Sequence, residues 1–130
     1  MKIILKNAEL AAAINFLQGI SLKASDSRHR SKFVKLLVKP YEALVEEEQA
    51  LAKEYACVDS EVAPTEEQKQ QFKQEQAKLF NEEVVIEGGV FTKNIEELPR
   101  ILEEFDGELF GNDAEIYDRL LDEFEKADAE

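Results

Sequence analysis

Ser27-Arg28-His29-Arg30-Ser31-Lys32 gathers the side chains in this sequence best suited to hold an anion. Two guanidiniums, an imidazole and an ammonium fall within five positions, and Lys35 follows closely. At the start of a helix such cations sit at the positive end of the helix dipole, where positive charge is disfavoured. Something has to offset that cost: a phosphate, a carboxylate from a partner, or the acidic remainder of the same chain. Arg28, His29, Arg30, Lys32 and Lys35 are therefore the candidate anion- or partner-binding residues. The plainer reading of the same segment is an intramolecular salt-bridge cluster. Direct contact with DNA or RNA is the weakest reading, since no aromatic is interleaved before Phe33 and no nucleic-acid-binding module is visible.

No other group of residues points to a reaction. His29 is the only histidine and Cys57 the only cysteine. They are too far apart in sequence for a local Cys-His device, and no Asn or Asp partner is evident. One histidine and no cysteine pair argue against zinc. Asp106-Gly107-Glu108 with Asn112-Asp113 offers oxygen ligands, but the spacing fails the calcium-loop pattern. Gly88-Gly89 lacks the Gly-Lys-Ser/Thr of a phosphate loop and reads as a turn. Nothing combines nucleophile, base and orienting group, so the expectation is a protein that is not an enzyme, with no catalytic residues, metal or cofactor.

Charge is divided unevenly. Residues 1–40 hold eight Lys/Arg and two acids, a balance of +6, whereas residues 41–130 hold eight basic residues and twenty-seven acids, a balance of −19. That polarity predicts two faces with different electrostatic partners, which include each other in a neighbouring copy. The acid-rich stretches Glu46–Glu48, Glu82-Glu83, Glu103–Glu108 and Asp118–Glu125 read first as solvated helix faces. Their sharper alternative is a decoy that imitates nucleic-acid phosphates. With a net charge of −13 the whole molecule is repelled by nucleic acid at long range.

At 130 residues the chain reads as a single domain, and the 44% hydrophobic content is ordinary for a folded protein. The lone cysteine excludes an internal disulfide and fits a reducing cytosol. No apolar run approaches the roughly 20 residues of a membrane span. Ile3-Ile4-Leu5 is too short for a secretion signal. A soluble, cytoplasmic protein with no membrane partner is expected.

The elements that must position the cationic segment are legible from periodicity. Lys2–Lys6 reads as a strand, and Asn7 as the N-cap of a helix over Ala8–Gln18 that stops at Gly19. A long helix begins near Asp26 or Ser27 and extends toward Cys57, with Leu37, Leu44, Leu51 and Val58 seven residues apart, and Val34, Tyr41 and Tyr55 beside them. Pro40 is expected to kink or divide it. Pro64-Thr65-Glu66-Glu67-Gln68 starts a second helix, about 66–82, which folds back antiparallel on the first. Val84–Ile86 and Val90–Thr92 around Gly88-Gly89 suggest a β-hairpin, or a three-stranded sheet with the N-terminal strand. Two C-terminal helices follow, the first carrying Ile95, Leu98, Leu102 and Phe105, the second Ile116, Leu120 and Phe124. The expected fold is α+β and mostly helical: a helical hairpin over 26–82, with 1–22 and 83–127 packing around a small sheet.

Met1-Lys-Ile-Ile-Leu-Lys-Asn-Ala-Glu-Leu, Asn15-Phe-Leu, Ser27-Arg-His-Arg-Ser-Lys-Phe-Val-Lys-Leu-Leu, Glu46-Glu-Glu through Lys53-Glu-Tyr, and the later Phe80-Asn-Glu-Glu-Val carry a resemblance. Most of residues 1–58 resembles a family of small uncharacterised proteins encoded by bacteriophages and prophages of Gram-positive bacteria. The resemblance implies a phage context and no catalytic activity. Together with the charge pattern it leads to a non-enzymatic phage accessory protein acting through protein–protein contacts with a phage or host partner. Assembly with further copies of itself, and residence in the host cytoplasm or the virion, fit that expectation. The alternative is an acidic inhibitor that mimics nucleic acid and blocks a host nucleic-acid-binding or defence protein.

Overall fold

The computed structural model describes residues 1–129. The chain forms β1 (Lys2–Lys6), α1 (Asn7–Gly19), α2 (Ala24–Glu54), α3 (Glu66–Asn81), β2 (Glu83–Glu87), a 3-10 turn (Gly89–Phe91), α4 (Thr92–Ile95), α5 (Leu98–Glu104) and α6 (Gly111–Ala129). The α+β, mostly helical class expected from the sequence is the one that forms.

β1 and β2 pair antiparallel, with Ile3 opposite Ile86 and Leu5 opposite Val84 on the inner face. Lys2 lies opposite Glu87 and Lys6 opposite Glu83 on the outer face. Opposite charges across a ladder favour that register. A slip by one residue would turn Ile3 and Leu5, now 1% and 0% exposed, toward water.

The strand expected at Val90–Thr92 does not exist. After Gly88 the chain turns into helix instead, with the Phe91 amide donating to the Gly88 carbonyl at 2.7 Å and the Thr92 hydroxyl to the Gly89 carbonyl at 2.7 Å. A Gly-Gly pair suits a hairpin turn and a tight helical turn alike; tertiary burial decides between them. β2 is paired by β1, and the helical path buries Ile95 completely. Gly88 is required here, because a Cβ would come within 2.5 Å of the Thr92 backbone.

α2 passes through Pro40 as one helix rather than two. Proline costs the Leu36 carbonyl its helical donor, and the helix holds because Phe33, Val34, Leu37 and Leu44 flank that position in the core. The heptad row is only partly realised. Leu37 and Leu44 are buried, Leu51 is half-buried, and Val58 lies outside the helix at 42% exposure.

α3 starts where expected. The Thr65 hydroxyl accepts from the Gln68 amide at 3.1 Å, and the Gln68 side chain accepts from the Thr65 amide at 2.9 Å, a complete capping box. It folds back on the last turns of α2, with Gln76 Nε2 donating to Glu48 Oε2 at 2.8 Å.

Asn7 does not cap α1. It is buried in the first turn, where its side chain donates to the Leu79 carbonyl and its backbone amide to the Glu82 carbonyl, both at 2.9 Å. The strand runs straight into the helix, so Lys6 occupies the cap position and its amide donates to Glu9 Oε1 at 2.7 Å. Asn7 is thereby freed to tie α1 to the end of α3.

The core lies between α1, the first half of α2, the sheet and α4–α6. Phe33 of α2 meets Phe124 of α6 at 5.6 Å between ring centroids, and Phe16 of α1 stands edge-on to Phe105 and Tyr117.

Candidate interaction face

α2 carries all five sequence-predicted residues on its first turns and divides them. Arg30 points back at α1: Nη1 donates to the carbonyls of Leu17 and Ile20, both at 2.7 Å, and Nη2 donates to Ser27 Oγ at 2.8 Å. The last carbonyls of a helix lack amide partners and carry the negative end of the dipole, so a cation is favoured there. The cost of a cation at the start of α2 is thus offset by the end of α1, a source the sequence had not suggested.

His29 turns toward α4, where its Nδ1 lies 3.2 Å from Asn94 Nδ2. Lys32 places its ammonium 5.0 Å from the centroid of the Phe91 ring, a cation–π contact. Arg30 and His29 are therefore both engaged with neighbouring elements of the fold.

Arg28 and Lys35 are exposed, and among the described residues neither has an ion-pair or hydrogen-bonded partner. Lys39 shares that condition. Arg28, Lys32, Lys35 and Lys39 stand at i, i+4, i+7 and i+11, which aligns them along one side of the helix over about 16 Å at 1.5 Å per residue. The structure thus replaces a cluster of five with a row of four. Arg30 and His29 drop out and Lys39 joins.

Two arginines escaped the sequence reading, and both tie the acidic half to the two acids of residues 1–40, Asp26 and Glu9. Arg100 of α5 donates to Asp26 Oδ1 at 2.7 Å, to Glu97 at 3.1 Å and to Glu104 at 3.0 Å. The hydrogen bond from Arg100 holds the Asp26 carboxyl below its usual value of 3.8. Arg119 of α6 donates from Nε to Glu9 at 2.9 Å and from Nη2 to the Ile4 carbonyl at 3.1 Å, and its Nη1 binds Glu123. Burial opposes the Arg119 charge, and the two carboxylates more than offset it, so its pKa rises. The signal was available as a lone arginine spaced three or four residues from glutamates: Glu97-x-x-Arg100-x-x-x-Glu104 and Arg119-x-x-x-Glu123.

A shallow groove of about 550 Å³ beside Arg119 is lined by Lys2, Lys6 and Lys126 and also by the carboxylates Glu83 and Glu123. The Arg119 guanidinium is already committed to Glu9, Glu123 and the β1 backbone. Among the described residues no group of three or more His, Cys, Asp or Glu is placed to hold a metal ion, and no helix is long and apolar enough to cross a membrane. Comparison of the chain with protein-family models, curated proteins and solved structures finds no match, so the exposed cationic row of α2 is read from its own residues.

Proposed function

We propose that this chain is a non-catalytic accessory protein that works by protein–protein contact, with the outer face of α2 as its docking surface. The observation that carries the reading is the isolation of Arg28, Lys35 and Lys39. In a chain with 29 acidic residues, these three cations meet no carboxylate among the described residues. Arg30, Arg100 and Arg119, by contrast, are saturated with acceptors. Unspent cations aligned on a rigid helix favour an acidic partner and speed its encounter. The resemblance of residues 1–58 to small bacteriophage and prophage proteins supports a phage setting, with a phage or host protein as partner in the host cytoplasm or the virion.

The test is affinity capture from phage-infected Gram-positive cells with the native chain and with the triple variant Arg28→Glu, Lys35→Glu, Lys39→Glu. The native chain retains a partner that salt elutes and the variant does not hold. An unchanged set of captured proteins overturns the reading.

A second reading is favoured by α6. Glu115, Asp118, Asp122 and Glu125 are exposed at helical spacing and form an acidic row, bordered by Arg119 and Lys126. Such a row can stand in for phosphates in a basic groove. Competition with duplex DNA for a basic nuclease decides it: failure to displace DNA at a large excess of protein removes the mimicry reading.

A further inference from the structure

Where α3 folds back on the last turns of α2, the two helices leave a groove of about 390 Å³ on one side. Glu47, Ala50, Leu51 and Glu54 line it from α2. Glu75, Lys78, Leu79 and the C-cap Glu82 line it from α3. Both sets follow i, i+3, i+4, i+7, the spacing that brings side chains to one side of a helix. Each wall thus has a leucine at its middle and a carboxylate at either end. Leu51, half-buried, and Leu79, buried, form the floor, and exposed Ala50 keeps the α2 side low.

Charge in the groove is one-sided. Four carboxylates face a single ammonium, Lys78, which is paired to Glu75 at 3.2 Å. Among the described residues Glu47, Glu54 and Glu82 meet no cation. Residues 41–82, which form the surrounding hairpin, hold eleven acids and four bases, so the neighbourhood does not offset them.

We propose that this groove seats a basic amphipathic helix of another protein. Both walls are helices, whose backbone groups are bonded within the helix. An extended peptide would find no ladder partners there, whereas a helix arrives with its own backbone satisfied. The leucine floor takes an apolar stripe at i, i+3 or i+4, and i+7. The carboxylates at the ends of both walls take Lys or Arg on either side of that stripe. A second copy of the chain does not fit. Among the described residues its one basic helical stretch is the first half of α2, whose apolar side, Phe33, Val34 and Leu37, is buried in its own core. The groove is separate from the cationic row of α2 and does not rest on that reading: the row favours an acidic partner, the groove a basic one. A seated helix also turns the narrow α2–α3 pair into a three-helix unit.

Fluorescence anisotropy at about 0.15 M salt, where distant charges are screened, tests it. The probe is a synthetic peptide of roughly 16 residues, long enough to form a helix in water, with leucines on one side and lysines flanking them. A scrambled peptide of the same composition reports simple attraction to a chain of net charge −13. The native chain is expected to bind the amphipathic peptide at least about tenfold more tightly than the scrambled one. Glu47→Lys with Glu54→Lys weakens binding by about tenfold, and Ala50→Arg does the same by filling the floor. Glu115→Lys with Asp118→Lys makes an equal charge change on α6 and costs no more than about twofold. All five positions are exposed, and circular dichroism melts check that each variant keeps the fold. Bound peptide slows amide exchange in 45–54 and 74–82.

Equal binding of the two peptides, or of neither, overturns the proposal. So does an α6 pair that costs as much as the groove pair, or protection that falls outside those two segments. An Ala50→Arg protein that binds at native strength overturns it as well, because the peptide then lies elsewhere on the acidic surface.

Discussion

The two halves of α2 share one helix and differ in what supports them. The half before Leu44 lies against α1, α4 and α6, and it supplies Phe33, Val34 and Leu37 to the core. The half after Leu44 has α3 for company: Leu51 is half-buried, and Leu79 is the one buried residue of α3. One stretch is fixed by packing on several elements, the other by a narrow helix pair. The contrast teaches that helical periodicity records what a helix could bury, while the fold decides how much of it is covered.

The sharpest way to break the comparison is a matched pair of truncations. Phe33→Ala is expected to cost about 3–5 kcal/mol in chemical denaturation, as deletion of a fully buried aromatic does, whereas Leu51→Ala on the same helix costs about 1 kcal/mol. Equal costs would mean that the distal half is as well packed as the core. Hydrogen exchange gives the same contrast without mutation: amides in 45–54 and 66–78 exchange sooner than those in 33–44.

Next in size come the arginines. Arg119→Met removes the cation shared by Glu9 and the buried Glu123, and about 2 kcal/mol of stability goes with it, reduced from the fully buried case because Arg119 is partly exposed. Arg30→Ala costs about 1–2 kcal/mol by stripping the end of α1 of its donor, while Arg28→Ala changes stability by less than about 0.5 kcal/mol. If Arg28 and Arg30 cost the same, the division of the cationic cluster into packing and docking residues fails.

Acid should loosen the tie between α2 and α5. The Asp26 carboxyl is held below 3.8 by the hydrogen bond from Arg100, so its contribution is present above that pH and is lost as pH falls through the lowered folded value. Native and Asp26→Asn proteins are therefore expected to differ in melting temperature at pH 7 and to converge in strong acid. A gap that persists unchanged at low pH would assign the difference to something other than this pair.

The smallest effect has the opposite sign. α2 ends in a Schellman turn, with the Cys57 amide donating to the Ala52 carbonyl at 2.7 Å and the Ala56 amide to the Lys53 carbonyl at 3.1 Å. Ala56 adopts φ 60°, a left-handed conformation that glycine accepts without strain. Ala56→Gly is expected to stabilise the protein by about 0.5–1 kcal/mol, the relief of strain exceeding the added freedom of the unfolded chain. A destabilised variant would show that the turn is held by more than its backbone bonds.

Several elements were legible because their signals are local and uncontested. Ile3-Ile4-Leu5 between lysines makes a strand, the Thr65–Gln68 pair fixes the start of α3, and the Ile116, Leu120, Phe124 stripe buries one side of α6. Val90-Phe91-Thr92 misled because its β propensity is weak next to the burial gained by Ile95 on the helical path. Asn7 misled for a related reason, since its amide serves a carbonyl 72 residues away.

In the proposed docking face, Arg28, Lys32 and Lys35 were legible by type, but the departure of Arg30 was not. Its acceptors are backbone carbonyls, which every residue carries and no side-chain pattern announces. The sequence by itself determined the helical character of the chain, the capping box that starts α3 and the order of charge along α2, all of which depend on near neighbours. Tertiary structure alone decided the partner of β2, the fate of the Gly-Gly turn, and which cations are spent and which stay free. Those outcomes depend on residues far apart in the chain competing for the same buried surface and the same unpaired carbonyls.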